Sequence, residues 1–207
     1  MSPGDWTSIA RATLEHLELT ALAVALAVLI GVPLGAYLIR ERFLAGPVLA
    51  AVGAIQTVPS LALLGLLIPL LGIGEKPALL ALFLYALLPI VRNTYAGLGS
   101  VEPAALEAAR GMGMTPLQVL RKVRLPLAFP VVMGGIRTST VINVGVATLA
   151  ALIGAGGLGE FIFRGIAMVD TKTVLMGALP AALLALVLDG LLALVERRSV
   201  PPGLRRG

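Results

Sequence analysis

Residues 100–126 read SVEPAALEAARGMGMTPLQVLRKVRLP. This is the one long interval that is both charged and clearly helical in an otherwise apolar chain. Ser100 or Glu102 can cap a first short helix. Pro103 suits its first turn, and Glu102 is favourable at the positive end of the helix dipole. The helix runs through Leu106, Glu107, Ala108, Ala109 and Arg110. It is expected to stop at Gly111 or Gly113, where a chain can enter left-handed space. Thr115-Pro116-Leu117-Gln118 reads as a second start, with threonine as N-cap, proline at the first position and Gln118 three residues after the cap. The second helix carries Arg121, Lys122 and Arg124 and is expected to end before Pro126. Two short helices on a glycine hinge form a compact polar module, unable to span a bilayer, that belongs in water or on a partner.

The remainder of the chain has the opposite character. Hydrophobic residues make up 58% of the 207 residues, charged ones 13%, and mean hydropathy is +0.98. A soluble domain carries about twice that charge. Uncharged runs at 19–39, 43–74, 77–91, 138–159 and 173–188 reach or approach the ~20 residues that cross ~30 Å of hydrocarbon. The expected fold class is therefore all-α: a polytopic membrane protein with about five transmembrane helices, residues 1–207 forming a single transmembrane domain. A net charge of +5 in such a chain reports topology and does not imply nucleic acid. Asp5, Glu15 and Glu18 stand where a signal peptide would be basic.

Read in order, residues 1–16 form a short polar lead with Trp6 as an interfacial anchor. The first span covers about 17–39, and Gly31 and Gly35, four apart, give it a close-packing face. The uncharged residues 43–74 would reach ~48 Å as one helix, too long for one straight span. Gln56, Thr57, Pro59, Ser60 and Pro69 interrupt them. The expectation is an interfacial or broken first part and a kinked span near 50–71, with Gln56 and Ser60 either lining a pathway or marking a packed kink. The third span covers about 77–97. The fourth runs from Pro126 to about 152, passing Arg137 and Asn143. The GAGGLG stretch at 154–159 lacks the Gly-Lys-Ser/Thr ending of a phosphate loop and reads as a tight glycine turn or re-entrant loop. The last span covers about 173–195 and contains Asp189.

Charge sets the orientation. Five spans place Arg40, Arg42, Arg92, Arg110, Arg121, Lys122, Arg124, Arg197, Arg198, Arg205 and Arg206 on one side, eleven of sixteen basic residues. Arg11, Lys76, Arg164 and Lys172 fall on the other. The positive-inside rule makes the 100–126 side cytoplasmic, with the N-terminus outside and the C-terminus inside.

Enzyme chemistry finds no support. There is no cysteine and His16 is the single histidine, so neither a nucleophile pair nor a metal site is expected. Glu102 and Glu107 are five apart and do not share a helix face. Intramembrane charges carry more information. Arg137, ~16 Å into its span, is either a pathway or gating residue or a structural charge held by Asp189 or backbone carbonyls. Asn143 is a pathway or interhelical residue. Counted from the outer edge, Arg92 and Asp189 both lie ~22–24 Å deep and Arg137 ~14 Å, so the expected pair is Arg92 with Asp189.

Glu107-Ala108-Ala109, then Gly113, Val123 and Leu125-Pro126 resemble the EAA loop of bacterial ABC importer permeases, seven positions over twenty residues. That family usually has isoleucine at the position of Val123. QTVPSLALLGLLIPLLGIG (56–74), ALLPIVRNTYAGL (86–98) and TLAALIGAGGLGEFIFRGI (148–166) are similar to its osmoprotectant branch. The resemblance implies a type I ABC importer permease with the 100–126 loop as its cytoplasmic coupling element, in the bacterial cytoplasmic membrane. It implies transport of glycine betaine, choline or carnitine. The partners implied are a cytoplasmic ABC ATPase that binds ATP-Mg, a second permease copy, identical or related, and an external or lipid-anchored substrate-binding protein. This chain itself would bind no cofactor. Glu107 would make the charged contact to the ATPase, Ala108 and Ala109 a close approach, Gly113 the bend, and Leu125-Pro126 the start of the next span. The alternatives are a methionine-type or other amino-acid importer permease, an ion-coupled secondary carrier, which should show inverted repeats and more intramembrane carboxylates, and a membrane scaffold without transport.

Overall fold

The structure, a computed structural model, describes residues 3–199, with side chains from Trp6 onward. Ser2 and the tail arginines Arg205 and Arg206 lie outside the described residues. Among the described residues every regular element is helical: α1 (Pro3–Arg40), α2 (Arg42–Thr57), α3 (Ser60–Leu71), α4 (Glu75–Gly99), α5 (Pro103–Gly111), α6 (Pro116–Val119), α7 (Leu125–Ala150), α8 (Gly159–Ala167) and α9 (Thr171–Ser199).

The lead does not stand apart from the first span. Helix α1 runs unbroken for 38 residues, ~57 Å, well beyond a bilayer core. Its outer part has a core to bury against: Ile9 and Ala12 pack with Leu158, Phe161 and Ala181. His16, fully buried, donates from Nε2 to the Val144 carbonyl at 3.0 Å. The Glu15 carboxylate accepts from the Gly157 amide at 3.2 Å.

Small residues set the close contacts. A Cβ on Gly31 would stand 2.9 Å from Ile90 Cγ2, and one on Gly35 2.7 Å from Thr94 Cβ. The expected glycine face of α1 is therefore spent on α4. Because residue 31 meets 90 and 35 meets 94, α1 and α4 run parallel. Helix α7 runs antiparallel to α4: Gly97 meets Val131, Gly135 meets Pro89 and Asn93, and Ser139 donates to the Ala86 carbonyl at 3.2 Å.

Two parallel neighbours require a return crossing, and α2 with α3 supplies it. They are two helices bent by 96° at Val58-Pro59, so the chain is broken as one expectation had it, but the break falls inside 50–71 and no single kinked helix covers those residues. Pro59 removes an amide donor and disfavours helical geometry at Val58, so the chain turns there. Tyr85 pins the elbow: its hydroxyl donates to the Val58 carbonyl, and its own carbonyl accepts from Gln56 Nε2 at 2.9 Å.

The second helix of the 100–126 module also differs from expectation. It does not end before Pro126. Residues 120–124 form a π-helical turn, with the Leu125 amide bonded to the Leu120 carbonyl, and α6 passes through it into α7. Proline cannot donate to the carbonyl four residues back and its ring crowds that group. A widened turn just ahead of Pro126 relieves both constraints without breaking the rod. Leu125-Pro126 is thus a point within a continuous helical rod, Pro116–Ile153. At its outer end the GAGGLG stretch is a tight turn, with Gly154, Gly156 and Gly157 at positive φ.

Candidate coupling module and intramembrane charge site

Helix α5 begins at Pro103 and ends in a Schellman motif. Gly113 takes φ +80°, its amide reaches the Arg110 carbonyl at 2.9 Å, and the Met114 amide reaches Ala109 at 3.2 Å. A left-handed residue is required there, which is why glycine stands there. Helix α6 opens with the full capping box: Thr115 Oγ1 accepts from the Gln118 amide at 3.4 Å and Gln118 Oε1 accepts from the Thr115 amide at 2.8 Å. Leu106, Ala109 and Val119 are buried under the module against Leu98, Val101, Ala128 and Val132. The module is therefore held by an apolar underside and presents a polar outer face.

The seven motif positions divide between these two sides. Glu107, Ala108 and Gly113 are exposed, whereas Ala109 is fully buried in the chain's own core. The two alanines therefore play different parts: Ala108 leaves the outer surface low, and Ala109 packs in the apolar cluster beneath α5 with Leu98, Val119 and Ala128. Sequence reasoning missed Met112 and Leu117, which are 70% and 55% exposed on either side of the glycine bend. Apolar residues flanking a helix stop and a helix start on a water-facing module were the available signal.

The intramembrane charges do not pair as expected. Arg92 is exposed on α4 and makes no ion pair among the described residues. Asp189 instead pairs with Arg137. Arg137 Nε and Nη2 donate to Asp189 Oδ1 and Oδ2 at 2.8 and 2.9 Å, and Nη1 donates to Glu196 Oε2 at 3.0 Å. Equal depth does not fix azimuth: α4 turns its Pro89–Asn93 face to α7, while α9 lies against another side of α7 and against α8. The ~14 Å depth counted for Arg137 took Pro126 as the inner edge, but the rod reaches Ile153, whose carbonyl accepts from the Gly74 amide at the outer start of α4; from that end Arg137 lies ~24 Å deep, level with Asp189.

The four pathway candidates are not gathered in one place. Gln56 and Ser60 flank the α2–α3 elbow, and Gln56 is bonded to α4. Arg137 borders an open groove with Gly134, Thr138, Val141, Ile142 and Asp189. Asn143 lies six residues further along α7, about 120° around it, fully buried, and neither amide atom has a hydrogen-bond partner.

Comparison with known proteins agrees with this architecture. Residues 24–200 match the family described as "Binding-protein-dependent transport system inner membrane component". The chain is 50% identical over 194 residues, 94% of its length and 89% of the relative's, to the choline transport system permease protein OpuBB of Bacillus subtilis. It is 52% identical over 202 residues, 95% of its length and 94% of the relative's, to the osmoprotectant import permease protein OsmW of Salmonella typhimurium. Among solved structures, a chain of the inward-facing MetNI methionine ABC transporter is similar over 100% of both chains, with a TM-score of 0.82 at 28% identity. The chain therefore belongs to the binding-protein-dependent transport system inner membrane components, the permease subunits of ABC importers, and has their all-helical multi-pass fold.

Proposed function

We propose that this chain is the membrane half of an ATP-driven importer of quaternary-ammonium osmoprotectants, the class of glycine betaine, choline and carnitine. The observation that carries the mechanism is the exposed α5–α6 apex continuing through an unbroken helical rod, Pro116–Ile153, into the membrane. A force applied at Leu117 reaches α7 without a flexible joint, and one applied at Glu107 or Met112 reaches it across the Gly113 bend and through the apolar cluster beneath α5. The force would come from a separate cytoplasmic ATPase that holds ATP-Mg and hydrolyses it, since this chain carries no phosphate loop. Met112 and Leu117 would fill an apolar groove on that subunit, and Glu107 would meet a basic group at its rim.

The substrate class rests on sequence. Relatives near 50% identity are named for choline and osmoprotectant transport, and one at 47% for glycine betaine, carnitine and choline. The methionine transporter chain shares the fold at 28% identity. A second permease copy would complete the pathway, and an outside binding protein would deliver the solute. Asn143 is the pathway residue we favour. A fully buried amide without partners costs ~1–3 kcal/mol, and an alternating-access cycle offers a state in which water or solute satisfies it. Gln56, Ser60 and Arg137 would move with the helices that border this path.

The test is ATP-dependent uptake of labelled glycine betaine, choline and methionine by proteoliposomes holding the permease, its co-expressed ATPase and its binding protein. Glu107→Lys inverts the contact charge, and Gly113→Pro forbids the left-handed bend at φ +80°. Both are expected to abolish uptake while the chain remains in the membrane. Normal uptake in both variants would refute the coupling role, and uptake of methionine alone would refute the substrate class.

A further inference from the structure

Helix α9 is fastened in two different ways. Near its outer end, Gly177 lies so close to α8 that a Cβ would stand 2.5 Å from the Leu158 carbonyl, and Ala181 is buried. From residue 182 to residue 199 no side chain of α9 is buried. What holds this inner half to α7 with polar contacts, among the described residues, is Arg137 with Asp189 and Glu196.

The arrangement has the features of a mechanical link. Arg137 sits on the same rod as α6, so it moves when α6 moves. Its fork is bidentate to Asp189, a geometry that resists rotation as well as separation. One cation serves two carboxylates seven residues apart on α9, ~10 Å along the axis. Releasing Glu196 leaves the Asp189 fork intact, so the link has two settings and does not simply break. The open groove beside it, lined by Gly134, Thr138, Val141 and Ile142, leaves the guanidinium room to move between them. A charged trio with 31%, 35% and 23% side-chain exposure cannot face hydrocarbon without cost, so this side of α7 and α9 turns toward protein or water.

We propose that Arg137 is the positioning residue that transmits movement of the coupling rod into the inner half of α9. The proposal rests on the coupling role given above to α5 and α6. Without the clamp the ATPase still docks and still hydrolyses ATP, but α9 no longer follows α7 and the solute is not moved.

The experiment uses the assembled transporter in proteoliposomes and reads three quantities: ATPase co-purification, ATP hydrolysis, and labelled choline or glycine betaine taken up per ATP. Arg137→Gln with Asp189→Asn removes two of the trio's three charges, leaving Glu196, and keeps size and hydrogen-bonding groups. This double variant is expected to retain its ATPase and its hydrolysis and to carry at least tenfold less solute per ATP. The reversed pair, Arg137→Asp with Asp189→Arg, should recover a large part of that ratio. A wild-type ratio in the neutral double variant overturns the proposal, as does loss of ATPase co-purification, which would make the clamp a support for the docking module. If the reversed pair does not assemble, Glu196→Gln decides: a ratio lowered two- to fivefold supports the two-setting link, and an unchanged ratio overturns it. The coupling role itself fails by a separate result, wild-type co-purification and uptake in both Glu107→Lys and Gly113→Pro.

Discussion

Val169 is the one non-glycine residue at positive φ among the described residues, at 54°, and it is 92% exposed. A β-branched side chain in left-handed space is unfavourable by ~1–2 kcal/mol, and asparagine tolerates that region. Val169→Asn is expected to raise the melting temperature in detergent by a few degrees without changing uptake. The glycines make an opposed pair. At Gly159 a Cβ would stand 1.9 Å from the Thr148 carbonyl, a backbone atom with no freedom to move, whereas at Gly134 it would meet nothing within 4 Å. Gly159→Ala should destabilise by ~3 kcal/mol or more, visible as loss of monodisperse protein, while Gly134→Ala should be neutral or slightly stabilising. Asn143→Leu separates structure from transport at one position. Removing two unpaired buried polar atoms should hold or raise thermal stability, and uptake should fall if the amide serves the pathway. Lowered stability with unchanged uptake would make Asn143 a structural residue. None of these four effects is written in local sequence: GAGGLG announces a turn, but which glycine faces a carbonyl is decided by α7, whose Thr148 meets Gly159.

Two elements depend on proline in different ways. At the α2–α3 elbow Pro59 ends one helix and the next leaves at 96°. Before Pro126 a π turn absorbs the same defect and the rod continues. The difference lies in what surrounds each site. The elbow is pinned from outside by Tyr85, through its hydroxyl to Val58 and its carbonyl to Gln56, whereas residues on both sides of the π turn belong to one apolar cluster that keeps them in line. Tyr85→Phe should therefore destabilise by ~1–2 kcal/mol, the cost of leaving a carbonyl unpaired. Combined with Gln56→Leu the loss should be less than additive, since both bonds hold the same elbow. Thermal unfolding of the two single variants and the double variant closes that cycle. Full additivity would mean that the elbow is held elsewhere.

At the scale of the whole molecule the crossing count follows from direction. Parallel α1 and α4 require α2 and α3 to carry the chain back, and antiparallel α7 and α9 complete five crossings. The described basic residues at the coupling end are Arg40, Arg42, Arg92, Arg110, Arg121, Lys122, Arg124, Arg197 and Arg198, against Arg11, Lys76, Arg164 and Lys172 at the other. This asymmetry favours a cytoplasmic coupling end. In this cysteine-free chain, Val169→Cys is expected to react with an impermeant thiol reagent on intact cells, and Ser199→Cys only after permeabilisation. The reverse pattern would invert the chain and remove the coupling module from the ATPase side.

The sequence by itself determined the helical membrane class, the position of the two-helix module at 100–126, its glycine stop at Gly111 or Gly113 and its capping box at Thr115, because each is a property of neighbouring residues; the structure placed the stop at Gly113. Hydropathy reports what a segment can dissolve in, and caps report where backbone donors and acceptors run out. It also located the charges along their helices. Only the tertiary structure decided which way those helices turn: that Asp189 meets Arg137 and Glu196 and not Arg92, that Ala109 faces inward while Ala108 faces outward, that the polar lead of α1 finds a core on α8 and α9, and that the rod survives Pro126. The physical reason is that spacing along a helix encodes depth, while partnership depends on azimuth and on which neighbour arrives, and those are set by close contacts between residues distant in the chain.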